Sequence, residues 1–317
     1  MKEAAMGGQP GGRKGRGRPP GGTEEKHRSE RRRPADSVAG ALSRAAVRPL
    51  PRGELFLGRD FLDRFFGAEG GYAGQLAAAA RSLGLSLVGI DLNRGRRRHF
   101  FDSGIDCLDG YYLAGCVNGP FSRLVERHGF FNAMLSVHKD RRLFGGICER
   151  LIREVERLAR SARSKGLRAV ALADDIAGKG GLFFSLEYFL DVLWPVYRLA
   201  AQVLKGQGLQ AFFHSDGDTR KIIEPLIEAG YACIHPVDGQ AGLDIYDLRA
   251  EFGDRVAFMG HIDIMGWDEG RIGEEIERAE GSFGNGGLIL GSSCGITLAT
   301  AGRLKSLYPS WRSPYRL

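Results

Sequence analysis

The sequence predicts an α/β protein built as a (β/α)8 TIM barrel with a disordered N-terminal extension. Two observations support the barrel: helical stretches alternate with short β-rich runs from about residue 53 onward, and about 265 residues follow this pattern. Strands that alternate with helices pair in parallel through right-handed crossovers. An open doubly wound sheet is the alternative, although no GxGxxG follows the first strand as in its dinucleotide-binding form.

The individual strands are predicted from apolar runs that end in polar residues. They cover 85–92, 114–119, 167–175, 209–216, 231–238, 255–263 and 287–294, with an eighth near ELFLG at 54–58. The helices between them carry apolar residues at spacings of three or four, as in Ile147, Leu151, Val155, Leu158 and Ala162. Glycines such as Gly84, Gly166 and Gly230 precede the strands, as helix C-cap residues do.

Residues 1–48 are predicted to be a disordered basic tail rich in Gly, Arg and Pro, and residues 49–317 to be the barrel domain. Residues 1–50 carry 12 Lys or Arg and 5 Asp or Glu, whereas the remainder holds 33 of each. The net charge of +7 therefore belongs to the tail and does not describe the ligand of the barrel. Arg16 to Pro19 read RGRP, the core of an AT-hook, but so short a match arises easily by chance, and nucleic-acid binding is not predicted.

The sequence also predicts a cytoplasmic protein without membrane association. No stretch approaches the roughly 20 apolar residues that a membrane span needs, and no apolar signal segment follows the N-terminal charges. The five cysteines are scattered and include no CxxC pair, which favours reduced thiols.

Polar residues close the apolar runs, at the end of the barrel where TIM barrels hold their functional sites. A turn former such as Asp or Asn fits a strand end without any function, whereas histidines and a cysteine are harder to explain as turns. These strand-end residues are Asp91, Asn118, Asp174, Asp175, His214, Asp216, His235, Asp238, His261, Asp263 and Cys294.

Three of these residues have the chemistry of a zinc site. His214, Asp216 and Cys294 offer one nitrogen, one oxygen and one thiolate, and three ligands leave the fourth position open, as in catalytic zinc sites. His214 and Asp216 are two residues apart in an extended segment, so their side chains point the same way. A purely structural interpretation stays open, in which His214 forms hydrogen bonds in the barrel mouth, Asp216 caps the next turn and Cys294 packs.

Several motifs, taken in order from about Pro49 to Leu307, resemble the uroporphyrinogen decarboxylase superfamily. They are PRGELFLG (51–58), VNGPF (117–121), DDIAGKGGLFFSLEYF (174–189), HSDGDTRKIIEPLIEAG (214–230), HPVDGQAGLDIYDLRAEFGDRVAFMGHID (235–263) and LGSSCGI (290–296). The superfamily includes uroporphyrinogen decarboxylase and cobalamin-dependent methyltransferases. The resemblance implies a TIM barrel with its pocket at the C-terminal ends of the strands.

The methyltransferase branch of the superfamily uses a His-x-Cys pair and a later cysteine to hold zinc, which activates a methyl-accepting thiol. His214 matches the histidine and Cys294 the final cysteine, while Asp216 replaces the middle cysteine with a harder oxygen ligand. The resemblance implies a corrinoid-linked methyltransferase with His214, Asp216 and Asp175 as catalytic residues. Its corrinoid would come from a partner protein, because the chain has no DxHxxG-type motif. The residues expected to bind the small-molecule substrate are Asn118, Asp174, His235 and Asp263.

Two other functions stay open. The decarboxylase branch implies a metal-free lyase of porphyrin biosynthesis, in which an acid such as Asp175 or Asp216 stabilises a protonated pyrrole. Its Arg-Gln-Ala-Gly-Arg-Tyr segment, which grips substrate carboxylates, is not found, and Arg52 and Arg59 lie in the different context PRGELFLGR. The remaining possibility is a noncatalytic barrel that binds a ligand, with the basic tail as its recruiting element.

Overall fold

The structure, a computed structural model, describes residues 33–67, 70–93, 105–139 and 141–312. Eight parallel strands form a nearly closed barrel in which each strand pairs with the next along the chain. They are β1 (Gly53–Glu54), β2 (Leu87–Asp91), β3 (Tyr112–Asn118), β4 (Leu167–Ala173), β7 (Gln210–His214), β8 (Tyr231–His235), β9 (Ala257–Ile262) and β10 (Leu288–Ser292). This confirms the predicted TIM barrel and all eight predicted strands, including the first one near ELFLG.

The barrel closes between its first and last strands through isolated parallel bridges, which join Arg52 to Leu290 and Leu57 to Ile296. Two further short strands lie outside the barrel and form an antiparallel hairpin after β4. They are β5 (Ala177–Gly178) and β6 (Gly181–Leu182). This hairpin lies at the C-terminal end of the barrel, where it borders the candidate site.

Helices surround the barrel and pack their apolar faces on it. They are α1 (Pro34–Leu42), α2 (Arg59–Phe66), α3 (Gly71–Leu83), α4 (Pro120–His128), α5 (Phe130–Lys139), α6 (Arg141–Ala162), α7 (Leu186–Tyr188), α8 (Trp194–Gly206), α9 (Arg220–Ala229), α10 (Ile245–Phe252), α11 (Glu269–Ser282) and α12 (Leu304–Leu307). Short 3-10 turns cover Asp106–Leu108, Arg163–Lys165, Gly239–Ala241 and Leu298–Arg303, and a π-helical turn covers Phe189–Leu193. The predicted stripe on α6 is buried along its whole length.

The interior of the barrel is filled mainly by small and apolar side chains, with Phe212 and Met259 as large members. The helix α1 belongs to the same cluster through Ala35, Val38 and Ala41, so it covers the N-terminal end of the barrel. This segment belongs to the tail that the sequence predicts to be disordered. It folds because its apolar residues recur at helical spacing and bury one face. Residues 1–32 of the predicted tail lie outside the described residues.

Within the described ranges, no helix combines the length and the apolar character that crossing a bilayer requires.

Candidate functional site

The turn after β7, with the sequence HSDGD, is shaped by a close approach of two segments of backbone. Gly217 has a φ of +89°, and a Cβ at this position would lie 2.6 Å from the backbone carbon of Ala177 in the β5–β6 hairpin. Only glycine fits such a conformation and such a contact without strain. The turn directs His214 and Asp216 toward the end of β4, where Asp175 lies.

Asp175, His214 and Asp216 converge at the mouth of the barrel. The Nε2 atom of His214 lies 3.4 Å from Oδ1 of Asp175 and 4.0 Å from Oδ1 of Asp216. The backbone N–H of Asp216 also donates to Oδ1 of Asp175 at 3.2 Å. One potential ligand atom from each of the three residues lies within 4.8 Å of the others. The side chains of Asp175 and Asp216 are 57% and 61% exposed, so a ligand can reach both carboxylates.

A second histidine, His235, forms a hydrogen bond with the ring nitrogen of His214 that faces away from the two carboxylates. His214 pairs in register with His235 on β8, and the two Nδ1 atoms are 2.8 Å apart. The ring of Phe56 lies against both imidazoles, with centroid distances of 4.7 and 6.0 Å. Burial and the neighbouring His214 lower the pKa of His235 well below its ordinary value, against a smaller opposing effect of the Ser292 backbone. His235 is therefore neutral at pH 7 and forms one hydrogen bond with His214.

Asp175 and Asp216 are partly exposed and partly buried, and their pKa values are displaced in opposite directions. Burial raises the pKa of Asp216, and the negative charges of Asp175 and Asp238 add to this against the attraction of His214. For Asp175, burial acts in the same direction but is outweighed by hydrogen bonding and attraction to His214, so its pKa is lowered. Asp175 is thus the fixed anion of the cluster, and Asp216 is the more readily protonated acid.

A cavity of about 450 Å³ opens beside these residues, within the range of small-molecule sites. Both aromatic and polar side chains line it. The aromatic residues are Phe56, Phe121, Phe130 and Phe183, and the polar residues are Asn118, Ser122, Glu126, Asp175, His214 and Asp216. Such a cavity suits a small ligand with an apolar body and a polar reacting end.

Three of the predicted substrate-binding residues take supporting places. Asp174 is fully buried, and its carboxylate accepts hydrogen bonds from the backbone N–H groups of Phe121 and Ser122 and from the hydroxyl of Tyr197. Asp263 is also buried and accepts from the backbone N–H groups of Met265 and Gly266 and the amide of Gln240. His235 lies behind His214. Asn118 is the one that lines the cavity, where its amide donates to Glu126.

Cys294 lies outside the group of converging ligand atoms that the described residues form. Cys294 is exposed, and its thiol is not part of a disulfide. Burial, followed by the negative charges of Glu54, Asp263 and Asp216, raises the pKa of Cys294 to about 11. The thiol is thus protonated at neutral pH in this environment. His261 points away from the cluster, with its Nε2 2.8 Å from Glu275.

In the structure, Asp216 does not cap the turn that leads to α9. Asp218 accepts from the backbone N–H of Arg220 at the start of α9, at 3.1 Å, while the carboxylate of Asp216 points to the cluster. The aromatic side chains of the cavity, Ser122 and Glu126 are not among the site residues that the sequence predicts. Phe121 follows directly on VNGP, the motif at the end of β3, and this position could have indicated that Phe121 lines the cavity.

The fold and the site define a TIM-barrel protein with a polar cluster and a cavity at the C-terminal ends of its strands. The chain belongs to the uroporphyrinogen decarboxylase family, because the sequence model of the family Uroporphyrinogen decarboxylase (URO-D) matches residues 108–302. This confirms the family resemblance seen in the motifs, and the matched segment contains Asp175, His214, Asp216 and Cys294.

Known structures are similar to this chain in fold. A methyltransferase from Methanosarcina mazei has a TM-score of 0.65 and 15% sequence identity, over 88% of this chain and 98% of that chain. An AP endonuclease, family 2, from Brucella melitensis has a TM-score of 0.46 and 13% identity, over 84% and 100% of the two chains. A D-psicose 3-epimerase from Clostridium cellulolyticum H10 has a TM-score of 0.46 and 12% identity, over 78% and 86%. No curated protein sequence matches the chain significantly.

Proposed function

We propose that this protein is a corrinoid-linked methyltransferase that moves a methyl group between a corrinoid protein and a small acceptor or donor. The observation that carries the proposal is the convergence of Asp175, His214 and Asp216 beside a cavity of small-molecule size. A fold shared with a methyltransferase is compatible with this activity but, at 15% identity, does not assign it. The free thiols of all five cysteines support a reducing compartment such as the cytoplasm.

The three converging residues fit a zinc ion chemically. They offer one imidazole nitrogen and two carboxylate oxygens, as in catalytic sites that keep a fourth position for a water or substrate. When bound there, zinc would lower the pKa of a thiol or water in that position. We infer that Asp175 takes the ligand place that the family pattern gives to Cys294, because Cys294 lies outside the group of converging ligand atoms.

His235 prepares His214 for this role. We assign the proton between the two Nδ1 atoms to His214, with neutral His235 as the acceptor, so the Nε2 of His214 faces the two carboxylates. The proton that this Nε2 atom shares with Asp175 would be replaced when zinc binds there. Residues that bond the far nitrogen of a ligating histidine fix its tautomer and orientation in metal sites. With one oxygen on zinc, the second carboxylate oxygen of Asp216 would accept the proton that a methyl-accepting thiol must lose.

Decarboxylation of a porphyrinogen has less support. Its substrate has eight carboxylates, which require fixed cationic partners. No arginine is among the described residues that line the cavity. Arg59 is instead paired with Asp63 at 3.6 Å and donates to Gln75.

The test is the metal content of the untagged full-length protein, before and after incubation with zinc, measured by mass spectrometry with inductively coupled plasma. We expect about one zinc per chain, and at least tenfold weaker zinc binding in His214→Ala and Asp175→Asn. His128→Ala is the matched control, because His128 is exposed at the end of α4. Cys294→Ala should keep its zinc if Asp175 is the third ligand. Absence of binding in excess zinc would remove the metal-dependent mechanism.

A second measurement addresses the reaction itself. The zinc-loaded protein is mixed with methylcobalamin and a small thiol, and loss of the methylcobalt absorption is followed in a spectrophotometer. We expect demethylation that depends on His214 and is unchanged in His128→Ala. If zinc binds but methylcobalamin is stable with every thiol tried, the zinc site stands and corrinoid-linked methyl transfer is wrong.

A further inference from the structure

We refer to the 450 Å³ cavity of the candidate site as the catalytic cavity. A second cavity, of about 610 Å³, lies next to it between α4 and α6. Nine described residues line this second cavity, and five of them are arginines: Arg123, Arg127, Arg150, Arg153 and Arg157. Two glutamates, Glu126 and Glu154, also line it, so its side chains carry a net positive charge of three. We refer to this cavity as the arginine cleft.

The spacing of the arginines directs them into the cleft from two sides. Arg123 and Arg127 are four residues apart on α4, and Arg150 and Arg157 are seven residues apart on α6. Residues at these spacings lie on the same face of a helix. Like charges that face one another across a cleft repel, so this arrangement lowers the stability of the protein unless an anion lies between them.

Among the described residues, three of the five arginines have no partner that would neutralise their charge. Arg123 pairs with Glu154 at 2.9 Å, and Arg153 pairs with Glu149 at 3.5 Å. In the parts of the chain that the structure describes, the side chains of Arg127, Arg150 and Arg157 form no hydrogen bond or ion pair.

Exposed arginines elsewhere on the barrel show the contrast. Arg220 pairs with Glu251 at 2.6 Å, and Arg255 binds both carboxylate oxygens of Glu224. The arginine cleft differs from these surfaces in holding several cations whose donors remain available. Guanidinium groups bind the two oxygens of a carboxylate or phosphate together, so such a cluster is suited to an anion.

The arginine cleft and the catalytic cavity share one wall residue, Glu126. Its carboxylate accepts a hydrogen bond from the amide of Asn118, and Asn118 accepts one from the amide of Asn93 at 2.9 Å. Asn93 lines the cleft, and Asn118 lines the catalytic cavity. A ligand in the cleft therefore lies one side chain away from the proposed site of chemistry.

We propose that the arginine cleft binds a small molecule bearing phosphate or carboxylate groups, held by Arg127, Arg150 and Arg157. The inference does not depend on methyl transfer or on zinc, because none of these arginines belongs to the catalytic cluster. Glu126 limits the affinity of the cleft, since of the two glutamates in its lining Glu154 is already paired with Arg123.

The test is calorimetric titration of the full-length protein with pyrophosphate and, separately, with tricarballylate, at constant ionic strength. We expect saturable binding of at least one probe, weakened at least tenfold in Arg150→Gln and in Arg157→Gln. Arg160→Gln is the matched control, because Arg160 is an exposed arginine of α6 outside the cleft. Glu126→Gln should strengthen binding severalfold. The thermal midpoints of the arginine variants, whose side chains are exposed, show that each variant is folded.

The preferred probe identifies the chemistry of the natural ligand, as pyrophosphate represents phosphates and tricarballylate represents clustered carboxylates. Two results would overturn the proposal: neither probe binds saturably, or Arg160→Gln weakens binding as much as Arg150→Gln does. The second result would mean that the probes respond to overall positive charge. Failure of either kind would leave the zinc experiment unaffected, since that experiment uses neither these probes nor these residues.

Discussion

At the scale of single residues, Glu54 is a buried acid whose protonation is linked to folding. It is inaccessible to solvent in β1 and accepts hydrogen bonds from the backbone N–H and hydroxyl of Ser292 and from the hydroxyl of Tyr308. Burial raises its pKa from 4.5 to about 7, although these hydrogen bonds oppose the shift. The folded protein therefore binds this proton more tightly than the unfolded chain does.

The sign of the pH dependence follows from this difference. Between about pH 4.5 and 7 the folded state holds a proton that the unfolded state has lost, so the contribution of Glu54 to the free energy of unfolding falls as pH rises. A displacement from 4.5 to about 7 corresponds to about 3 kcal/mol. We expect Glu54→Gln to reduce the loss of stability across this interval, as measured by urea denaturation at several pH values. An equal slope in both proteins would contradict the assigned pKa.

Some single residues of the site can be predicted from the sequence, and others cannot. His214 and Asp216 could be predicted because the alternation of strand and turn places them at a strand end. The structural role of Asp174 could not be predicted, because the sequence does not distinguish two adjacent acids of one motif. Only the structure shows that the backbone N–H groups at the start of α4 donate to the carboxylate of Asp174. The family pattern predicts Cys294 in the cluster, but in the structure Cys294 lies outside the group that Asp175, His214 and Asp216 form.

At the scale of elements, one carboxylate connects three parts of the barrel. Asp174 follows β4, accepts from two N–H groups of the first turn of α4, and accepts from Tyr197 of α8 at 2.7 Å. The first turn of a helix has N–H groups without partners in the helix itself, and buried ones must be satisfied elsewhere. Asp174 thereby fixes the angle at which α4 leaves the barrel, and with it Phe121 and Ser122 in the wall of the cavity.

Asp174→Ala should therefore lower the free energy of unfolding by at least about 3 kcal/mol, because it leaves several buried donors without an acceptor. Its neighbour provides the matched control. Asp175→Ala should change the free energy of unfolding by less than about 1 kcal/mol, since the Asp175 side chain is more than half exposed, and it should weaken the proposed zinc binding. Both are measured by chemical denaturation. Equal losses in the two variants would show that Asp174 does not anchor α4.

The elements that the sequence did not predict are the small ones. The β5–β6 hairpin has strands of two residues each, which is too short to show any alternation of apolar and polar positions. The helix α1 was overlooked because two of its buried residues are alanines and it follows a segment rich in Gly and Arg. Seven of the barrel strands were predicted because each lies in a mainly apolar run, as expected of strands buried on both faces. The first, β1, has only Gly53 and Glu54 and was indicated by the neighbouring ELFLG segment, which it overlaps at Glu54.

At the scale of the whole molecule, α1 determines where the folded unit begins. The backbone N–H of Ala35 donates to the carbonyl of Gly110 at 2.9 Å, and that of Gly287 donates to the carbonyl of Ala41 at 2.8 Å. Val38 is completely buried in the cluster that fills the barrel. These contacts connect the N-terminal segment to both β3 and the approach to β10, which are distant in the sequence.

A chain that starts at residue 33 should therefore unfold at the same urea concentration as the full-length protein, while a chain that starts at residue 49 should not. The shorter chain loses the buried surface of Val38, Leu42 and Val47, each worth about 1.5–3 kcal/mol when fully buried. We expect a loss of at least about 3 kcal/mol. The full-length protein and the chain from residue 33 form the matched pair, since both keep α1. Equal stability of all three chains would place the domain boundary at residue 49 and reduce α1 to a peripheral helix, whereas a loss on removing residues 1–32 alone would show that the basic segment contributes to the fold.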